Sequence, residues 1–379
     1  MFSVEQCVTL GTDWVDPGFP ALFGVRVPAD EVVGRVFAGT VTAFRGEAMP
    51  NLLDLPRQAL MDLRSRLSHL PLVSQLHRRH APNSLALSSP TPQDSMLADP
   101  QRVEVWRRAV ERYVRPNQVV VDVKAGTGLR TFLAAHQHPR KLYAVDDSRL
   151  LDTTQWVARR NGLDRIDFVR EPTWHFQPQE KADVLLHELL GDALLDAGLV
   201  PRMLDLRSRL LKPGGRILPN RFEVFVEPVQ LREEACVPFI WTQHLPHVDF
   251  RCLQSLREAM SPSYFTRLVR SYEVDHLLCE PEPAFGFDLE TMRAEGLPSR
   301  VRIQRPVEED GRVDGFCLFY KVAFDAELAF DVSPMRERNT TAMTLLRVEP
   351  REFSRYDTLE FELELPNPSD PRTWRWQFT

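Results

Sequence analysis

Short apolar runs alternate with segments of helical periodicity between positions 99 and 220. Apolar residues at positions 103, 106, 110 and 113 recur at helical spacing and predict a helix over Pro100–Val114. Four mostly apolar runs have the length of strands: Val119–Val121, Leu142–Val145, Ile166–Val169 and Ala182–Leu186. Runs of this kind are typical of strands buried on both faces. With helical segments between them, they predict an open, mostly parallel sheet in an α/β fold.

The pattern changes after the turn Lys212–Gly215 and the following Arg216–Pro219. From there the strand-like segments are rich in β-branched and aromatic residues: Phe222–Val229, Gly315–Ala323, Ala342–Val348 and Thr358–Leu365. This composition predicts an antiparallel sandwich or barrel. The chain therefore divides into an N-terminal extension (1–95), an α/β domain (96–220) and a β domain (221–379).

The N-terminal extension has the weakest pattern. Asn51–Leu70 places Leu60, Leu63 and Leu67 on one helical face, which predicts a helix. The serine- and proline-rich Ser88–Pro92 indicates a linker.

Composition narrows the class of protein. The 379 residues are 43% hydrophobic and 26% charged with a net charge of −6, which is ordinary for a globular protein and does not favour a nucleic-acid groove. The five cysteines are scattered without a CxxC pair, so neither a metal site nor a disulfide framework is indicated. No leader pattern and no apolar run of 18 residues occur, so we expect a cytoplasmic or nuclear protein without a membrane span.

A glycine-rich turn follows the first predicted strand. Gly126 and Gly128 would let backbone amides approach a ligand closely at the start of a helix. Asp146 ends the next strand, 18 residues after Gly128, where doubly wound folds place an acid that binds ribose hydroxyls. The pattern favours a nucleotide-type cofactor, and a tight turn without a ligand is the alternative.

Four motifs in order resemble those of the protein arginine methyltransferase family: Met96–Arg102, Val121–Gly128, His187–Gly191 and Leu211–Pro219. The resemblance implies a class I methyltransferase, with a doubly wound Rossmann-like sheet followed by a β-barrel that carries a helical dimerisation arm. It also implies S-adenosylmethionine as cofactor, with Asp122, Gly126, Gly128 and Asp146 around it and Arg102 paired with its carboxylate.

Two departures from the family concern the cofactor. Lys124 stands where the family has its first glycine, so its side chain would crowd the site or divert its ammonium to the cofactor carboxylate. Ser88–Pro92 stands where the family has a helix that covers the cofactor, and its prolines are incompatible with a helix. We therefore expect weak or absent S-adenosylmethionine binding by the isolated chain.

Two further departures concern the substrate. In the family, two glutamates nine residues apart bind the substrate guanidinium; Glu188 matches the first, but the second position is Ala197. The adjacent Asp196 is shorter and out of register. The family's Thr-His-Trp loop corresponds to residues 339–344 here, which contain neither His nor Trp.

The insert 247–272 corresponds to the family's dimerisation arm. Its apolar residues predict an interface with another subunit: Phe250, Leu253, Leu256, Met260, Tyr264, Phe265 and Leu268. Packing of the insert onto its own domain is the alternative.

Three functional hypotheses follow. The first is a non-catalytic (prozyme) subunit that binds and activates a catalytic arginine methyltransferase in a heterodimer or heterotetramer, which then acts on arginine-rich proteins. The second is an active arginine N-methyltransferase that uses Glu188 with Asp196 or another acid. The third is a methyltransferase for another nucleophile, or a fold retained as a scaffold.

Overall fold

The computed structural model describes residue 94 and residues 96–260, 262–336 and 339–379. The helix predicted over 51–70 and the linker 88–92 lie outside the described residues. Within the described part of the chain, no helix is both long and apolar enough to cross a membrane. The same residues hold no cluster of three or more His, Cys, Asp or Glu side chains arranged for a metal ion.

The first sheet is five-stranded and parallel, as the alternating pattern predicts. Its strands are β1 (Val119–Val123), β2 (Lys141–Val145), β3 (Asp167–Val169), β4 (Ala182–His187) and β5 (Leu211–Leu218). They lie in the order β3-β2-β1-β4-β5, and every neighbouring pair is parallel. Strand order reverses between β1 and β4, and doubly wound folds bind ligands outside the carboxyl ends of the strands at such a point.

Four helices flank this sheet: α1 (Pro100–Tyr113), α2 (Leu129–Ala135), α3 (Leu150–Arg160) and α4 (Leu199–Leu210). The carboxylate of Asp99 caps α1 by accepting from the backbone N–H of Arg102 at 3.1 Å, and Pro100 suits the first turn, where an N–H would have no partner. The buried face of α1 carries Arg102 and Trp106 as well as aliphatic residues. Helix α1 therefore brings a cation into the interior.

The second half of the described chain is antiparallel, as predicted. Its strands are β6 (Arg221–Leu231), β7 (His244–Leu245), β8 (Val248–Asp249), β9 (Thr266–Val269), β10 (Val274–Leu277), β11 (Pro283–Asp288), β12 (Arg300–Pro306), β13 (Gly311–Ala323), β14 (Ala329–Asp331), β15 (Met343–Phe353), β16 (Thr358–Glu364) and β17 (Arg375–Phe378). A seven-stranded sheet centred on β6, β13 and β15 packs against the three-stranded sheet β12-β16-β17. Phe316 of the seven-stranded sheet stacks on Phe361 of the three-stranded sheet, with ring centroids 3.7 Å apart.

The insert 247–272, which the family resemblance implies to be a helical arm, contains short helical elements instead of one continuous helix. Strands β7 and β8 form a short hairpin at its start, and a 3-10 helix covers Arg251–Ala259. A second 3-10 turn, Pro262–Phe265, leads into β9, which pairs with β15. Proline at position 262 cannot continue a preceding helix, and the chain then joins the sheet. Only part of the insert therefore projects from the sheet.

Candidate active site at the carboxyl edge of the parallel sheet

The candidate site lies where β1 and β4 end side by side. Val123 is opposite His187 in the parallel register, so the glycine-rich turn after β1 and the loop after β4 emerge at one edge. Glu188 is the first residue of that second loop. The fold thus brings together two of the motifs that the sequence analysis identified.

Glu188 is buried and already fully engaged. One carboxylate oxygen, Oε1, accepts from Nε of Arg102 at 2.6 Å and from the indole N–H of Trp106 at 3.1 Å. The other, Oε2, accepts from Nη1 of Arg130 at 2.8 Å. Burial alone would raise the pKa of this carboxyl, but the two guanidinium groups outweigh burial and hold the pKa below its usual range. Glu188 is therefore an ionised carboxylate whose partners are the chain's own side chains.

Arg130 makes the most extensive set of contacts in the site. Its Nε donates to Oδ1 of Asp122 at 2.9 Å, and its Nη2 donates to the carbonyl of Lys124 at 2.7 Å. Together with the bond to Glu188, these contacts connect the end of β1, the glycine-rich turn and the end of β4. The guanidinium carbon also lies 5.7 Å from the ring centroid of Trp106, within cation–π range.

Asp122 was predicted to lie at the cofactor. It is fully buried, and its second oxygen accepts from the hydroxyl of Thr131 at 2.6 Å. Both of its oxygens therefore have partners from α2, since Arg130 belongs to the same helix.

Arg102 was predicted to pair with a cofactor carboxylate, and in the structure it is bound to Glu188. Its Nη1 is 3.4 Å from the hydroxyl of Thr341, and its guanidinium lies over the ring of Phe330. Thr341 belongs to the loop 339–344, where the family has its Thr-His-Trp motif. This loop therefore supports an internal ion pair through Thr341.

Asp146 lies where the sequence predicts a ribose-binding acid, but its oxygens hold the turn. Oδ2 accepts from the backbone N–H of Gly126 at 3.0 Å, and Oδ1 accepts from that of Ser148 at 2.8 Å. The ammonium of Lys124 lies 3.8 Å from Oδ1 and is hydrogen-bonded to Asp147. Lys124 therefore turns to the acids after β2.

Packing accounts for the glycine at position 128. Gly128 has φ of +94°, and a Cβ there would lie 2.5 Å from Cγ2 of Thr154 and 2.6 Å from the ring of Phe132. Both the backbone conformation and the close approach of α2 and α3 therefore require glycine. This observation favours a tight turn that needs no ligand.

The position of the family's second acid is filled by a buried alanine. Ala197 lies in the 3-10 turn Leu195–Ala197. The neighbouring Asp196 is used inside its own loop, since its Oδ1 accepts from the backbone N–H of Ala193 at 3.2 Å. A Cβ at Gly191 would be 1.7 Å from the same oxygen, so the loop is built closely around this carboxylate.

These side chains, as they are arranged, do not fit S-adenosylmethionine. Asp146 satisfies backbone amides with both oxygens, and Arg102 is committed to Glu188. Arg130 bonds to the carbonyl of Lys124, so a guanidinium group already covers the turn that would cradle a ligand.

The predicted interface residues fall into two sets. Tyr264 and Phe265 pack on their own domain: the Tyr264 hydroxyl accepts from the N–H of Ile240 at 3.1 Å, and the Phe265 ring lies 6.5 Å from that of Trp376. The rest of the predicted set is less engaged. Phe250, Leu253 and Met260 are half-buried, and Leu256 and Leu268 are each 52% exposed.

Three residues of the site were not singled out from the sequence. Trp106 was assigned to an apolar stripe, and no role was given to Thr341. Arg130 was overlooked, although a charged residue in the otherwise apolar start of α2, two positions after Gly128, was a detectable signal.

Comparison with known proteins agrees with this architecture, although no family model matches the chain. Protein arginine N-methyltransferase 6 of Danio rerio is 27% identical over 289 residues, which cover 73% of this chain and 82% of the relative. The protein of the same name from Xenopus laevis is 24% identical over 274 residues, covering 68% and 77%. The Trypanosoma brucei PRMT1 enzyme–prozyme heterotetrameric complex with AdoHcy has a similar fold, with a TM-score of 0.66, 21% identity, and coverage of 77% of this chain and 94% of that chain. The chain is therefore similar in sequence to protein arginine methyltransferases over most of its length, and it shares their fold.

Proposed function

We propose that this chain is a non-catalytic subunit that binds and activates a catalytic arginine methyltransferase, in the manner of a prozyme, in the cytoplasm or nucleus. The observation that carries the proposal is the state of Glu188. Both of its carboxylate oxygens are ion-paired to arginines of the same chain, at 2.6 and 2.8 Å. The acid that the family uses to bind substrate arginine is occupied from within.

A substrate guanidinium would have to displace these partners. Separating a buried ion pair typically costs about 3–5 kcal/mol. That cost alone would weaken substrate binding on the order of 10²-fold to several 10³-fold. Ala197 supplies no second carboxylate to compensate, so bidentate recognition of the substrate is lost.

The fold is that of S-adenosylmethionine-dependent methyltransferases, but we expect weak cofactor binding by the isolated chain. The basis is the use of Asp146 and Lys124 within the site itself. The dissociation constant of S-adenosylhomocysteine is measured by calorimetry. A value of about 10 μM or tighter would contradict this part of the proposal.

Two observations support a protein partner. The similar structure is of an enzyme–prozyme heterotetramer, so the fold is compatible with that assembly. In addition, the segment from 237 to 272 carries six of the large apolar side chains that are exposed in the described part of the chain: Val237, Leu245, Val248, Leu256, Leu268 and Tyr272. Apolar exposure concentrated in one segment is typical of an interaction surface.

The test is reconstitution. The untagged protein is co-purified from its native cell, the partner is identified by mass spectrometry, and methyl transfer to arginine-rich peptides is measured for each chain and for the complex. We expect turnover by the complex and none by either chain on its own. Glu188→Gln removes the buried partner of two arginines, so its turnover is compared only after thermal unfolding and size-exclusion chromatography show a folded variant in the complex. That turnover should then stay within about twofold, since the residue touches no substrate, whereas loss of the partner's own acid should abolish it.

Turnover by the purified single chain, abolished by Glu188→Gln, would overturn the proposal in favour of an active arginine methyltransferase.

A further inference from the structure

The guanidinium of Arg130 occupies the position that a bound ligand has in many α/β folds. It lies at the carboxyl ends of β1 and β4, where strand order reverses. There it donates to the side chain of Asp122, to the backbone of Lys124 and to the side chain of Glu188. Each of these groups belongs to a different segment of the site, so one side chain ties all three together.

The charges around Arg130 balance. Asp122 and Glu188 are buried carboxyls, and Arg102 and Arg130 are buried guanidinium groups, so their formal charges sum to zero when both carboxyls are ionised. Burial raises the pKa of Asp122, and the contacts from Arg130 and Thr131 oppose that shift. Buried carboxylates are stable only when paired and hydrogen-bonded. Without Arg130, the cluster would carry one uncompensated negative charge and the edge of the sheet would need a cation from outside.

From this arrangement we infer that Arg130 is a built-in ligand, which keeps the carboxyl edge of the sheet ordered and closed without any bound cofactor. The chain is then competent to fold and to present its surfaces whether or not S-adenosylmethionine is available. The inference concerns the isolated chain and does not depend on the identity or existence of a partner.

The first experiment is chemical rescue of Arg130→Ala in the full-length protein. Removing Arg130 leaves Asp122 without a cationic partner and Glu188 with Arg102 alone, so we expect the melting temperature to fall by about 5–15 °C. Guanidinium chloride at about 20 mM should restore several degrees, because the free ion is small, planar and able to form paired hydrogen bonds to carboxylates. Ammonium chloride at the same concentration is the control for ionic strength, and it should have a much smaller effect.

The unmodified protein provides a second measurement that needs no variant. Hydrogen–deuterium exchange is followed in residues 123–130 and 187–196, with and without about 1 mM S-adenosylhomocysteine. We expect both segments to exchange slowly, at a rate that S-adenosylhomocysteine leaves unchanged. Arg130→Lys, which keeps the charge but loses the fork of donors, should exchange faster in the same segments.

Two outcomes would overturn the inference. One is the absence of selective rescue, with guanidinium and ammonium giving equal effects on Arg130→Ala. The other is fast exchange in both segments of the unmodified protein that S-adenosylhomocysteine slows severalfold, since an edge ordered by its own arginine does not need that ligand. Neither result bears on whether a complex with a partner is active, so the proposed function is judged separately by reconstitution.

Discussion

The carboxyl edge of the parallel sheet and the insert 247–272 both carry side chains that the sequence assigns to binding, and the fold treats them differently. At the sheet edge, Glu188, Asp122 and Asp146 accept hydrogen bonds from the chain itself with both oxygens. In the insert, Tyr264 and Phe265 pack on their own domain, but Leu256, Leu268 and Tyr272 stay exposed.

The difference follows from the physics of the two kinds of group. A buried carboxylate must find a cation or donor, so a buried acidic site is stable without an external ligand only when it has internal partners. An exposed leucine costs little in a folded monomer, so an apolar surface can persist for a partner to cover. The polar site is therefore closed by the chain itself, whereas the apolar surface remains open to solvent.

The largest expected effect is at the closed site. Arg102→Met should lower the free energy of unfolding by about 3–5 kcal/mol, because Glu188 loses a buried partner. Urea denaturation measures the change. Arg302→Met is the matched control: Arg302 pairs with Glu362 at the surface with a side chain 72% exposed, and its loss should cost less than about 1 kcal/mol. Equal effects of the two variants would show that burial does not distinguish the two pairs.

A pH effect should arise next to the same site. His187 is fully buried, its Nε2 is 2.8 Å from the carbonyl of Pro219 and its Nδ1 has no hydrogen-bond partner. Burial lowers the pKa of its imidazole from 6.5 to about 4. Unfolding therefore favours protonation, so the stabilisation is present above pH 6.5 and is lost as the pH falls towards 4, by about 3 kcal/mol in total.

Urea denaturation between pH 4 and pH 7 tests this effect. His187→Gln keeps an amide N–H at the distance of Nε2, where it can reach the carbonyl, but does not titrate in this range, so the difference between the two proteins isolates the imidazole. A difference that stays constant with pH would refute the explanation.

The inward part of the insert should behave as core. Phe265→Ala should destabilise the chain itself by about 2–3 kcal/mol, because the ring packs against Phe239, Trp241 and Tyr264. Thermal unfolding of the isolated protein measures this loss. Were the unfolding temperature unchanged, the ring would instead be free for a partner.

The outward part of the insert should give the smallest effect on folding. Leu256→Gln combined with Leu268→Thr should change the free energy of unfolding by less than about 1 kcal/mol, since both side chains are half exposed. Under the proposed function, the same double variant should weaken binding of the catalytic partner by about 2 kcal/mol, or roughly 30-fold. Size-exclusion chromatography and a titration against the partner separate the two effects. An unaltered affinity would place the interface elsewhere.

The sequence by itself determined the elements and one part of the chemistry. Apolar runs and helical spacing depend on residues close along the chain, so the strands Val119–Val123 and Ala182–His187 and the helix Pro100–Tyr113 were predicted within a few residues. The missing second acid was equally visible, because the spacing from Glu188 to Ala197 is a property of the linear sequence.

Only the tertiary structure decided what fills the site and which face of the insert is covered. Arg102 and Arg130 meet Glu188 from 86 and 58 residues away, and that meeting depends on the order of the strands and on the faces that α1 and α2 turn inward. No pattern among neighbouring residues indicates which side chains so far apart in the sequence will meet. In the insert, Phe265 and Leu268 are equally apolar in sequence, but the packing of the chain against β15 and Trp376 partly buries the aromatic ring and leaves the leucine at the surface.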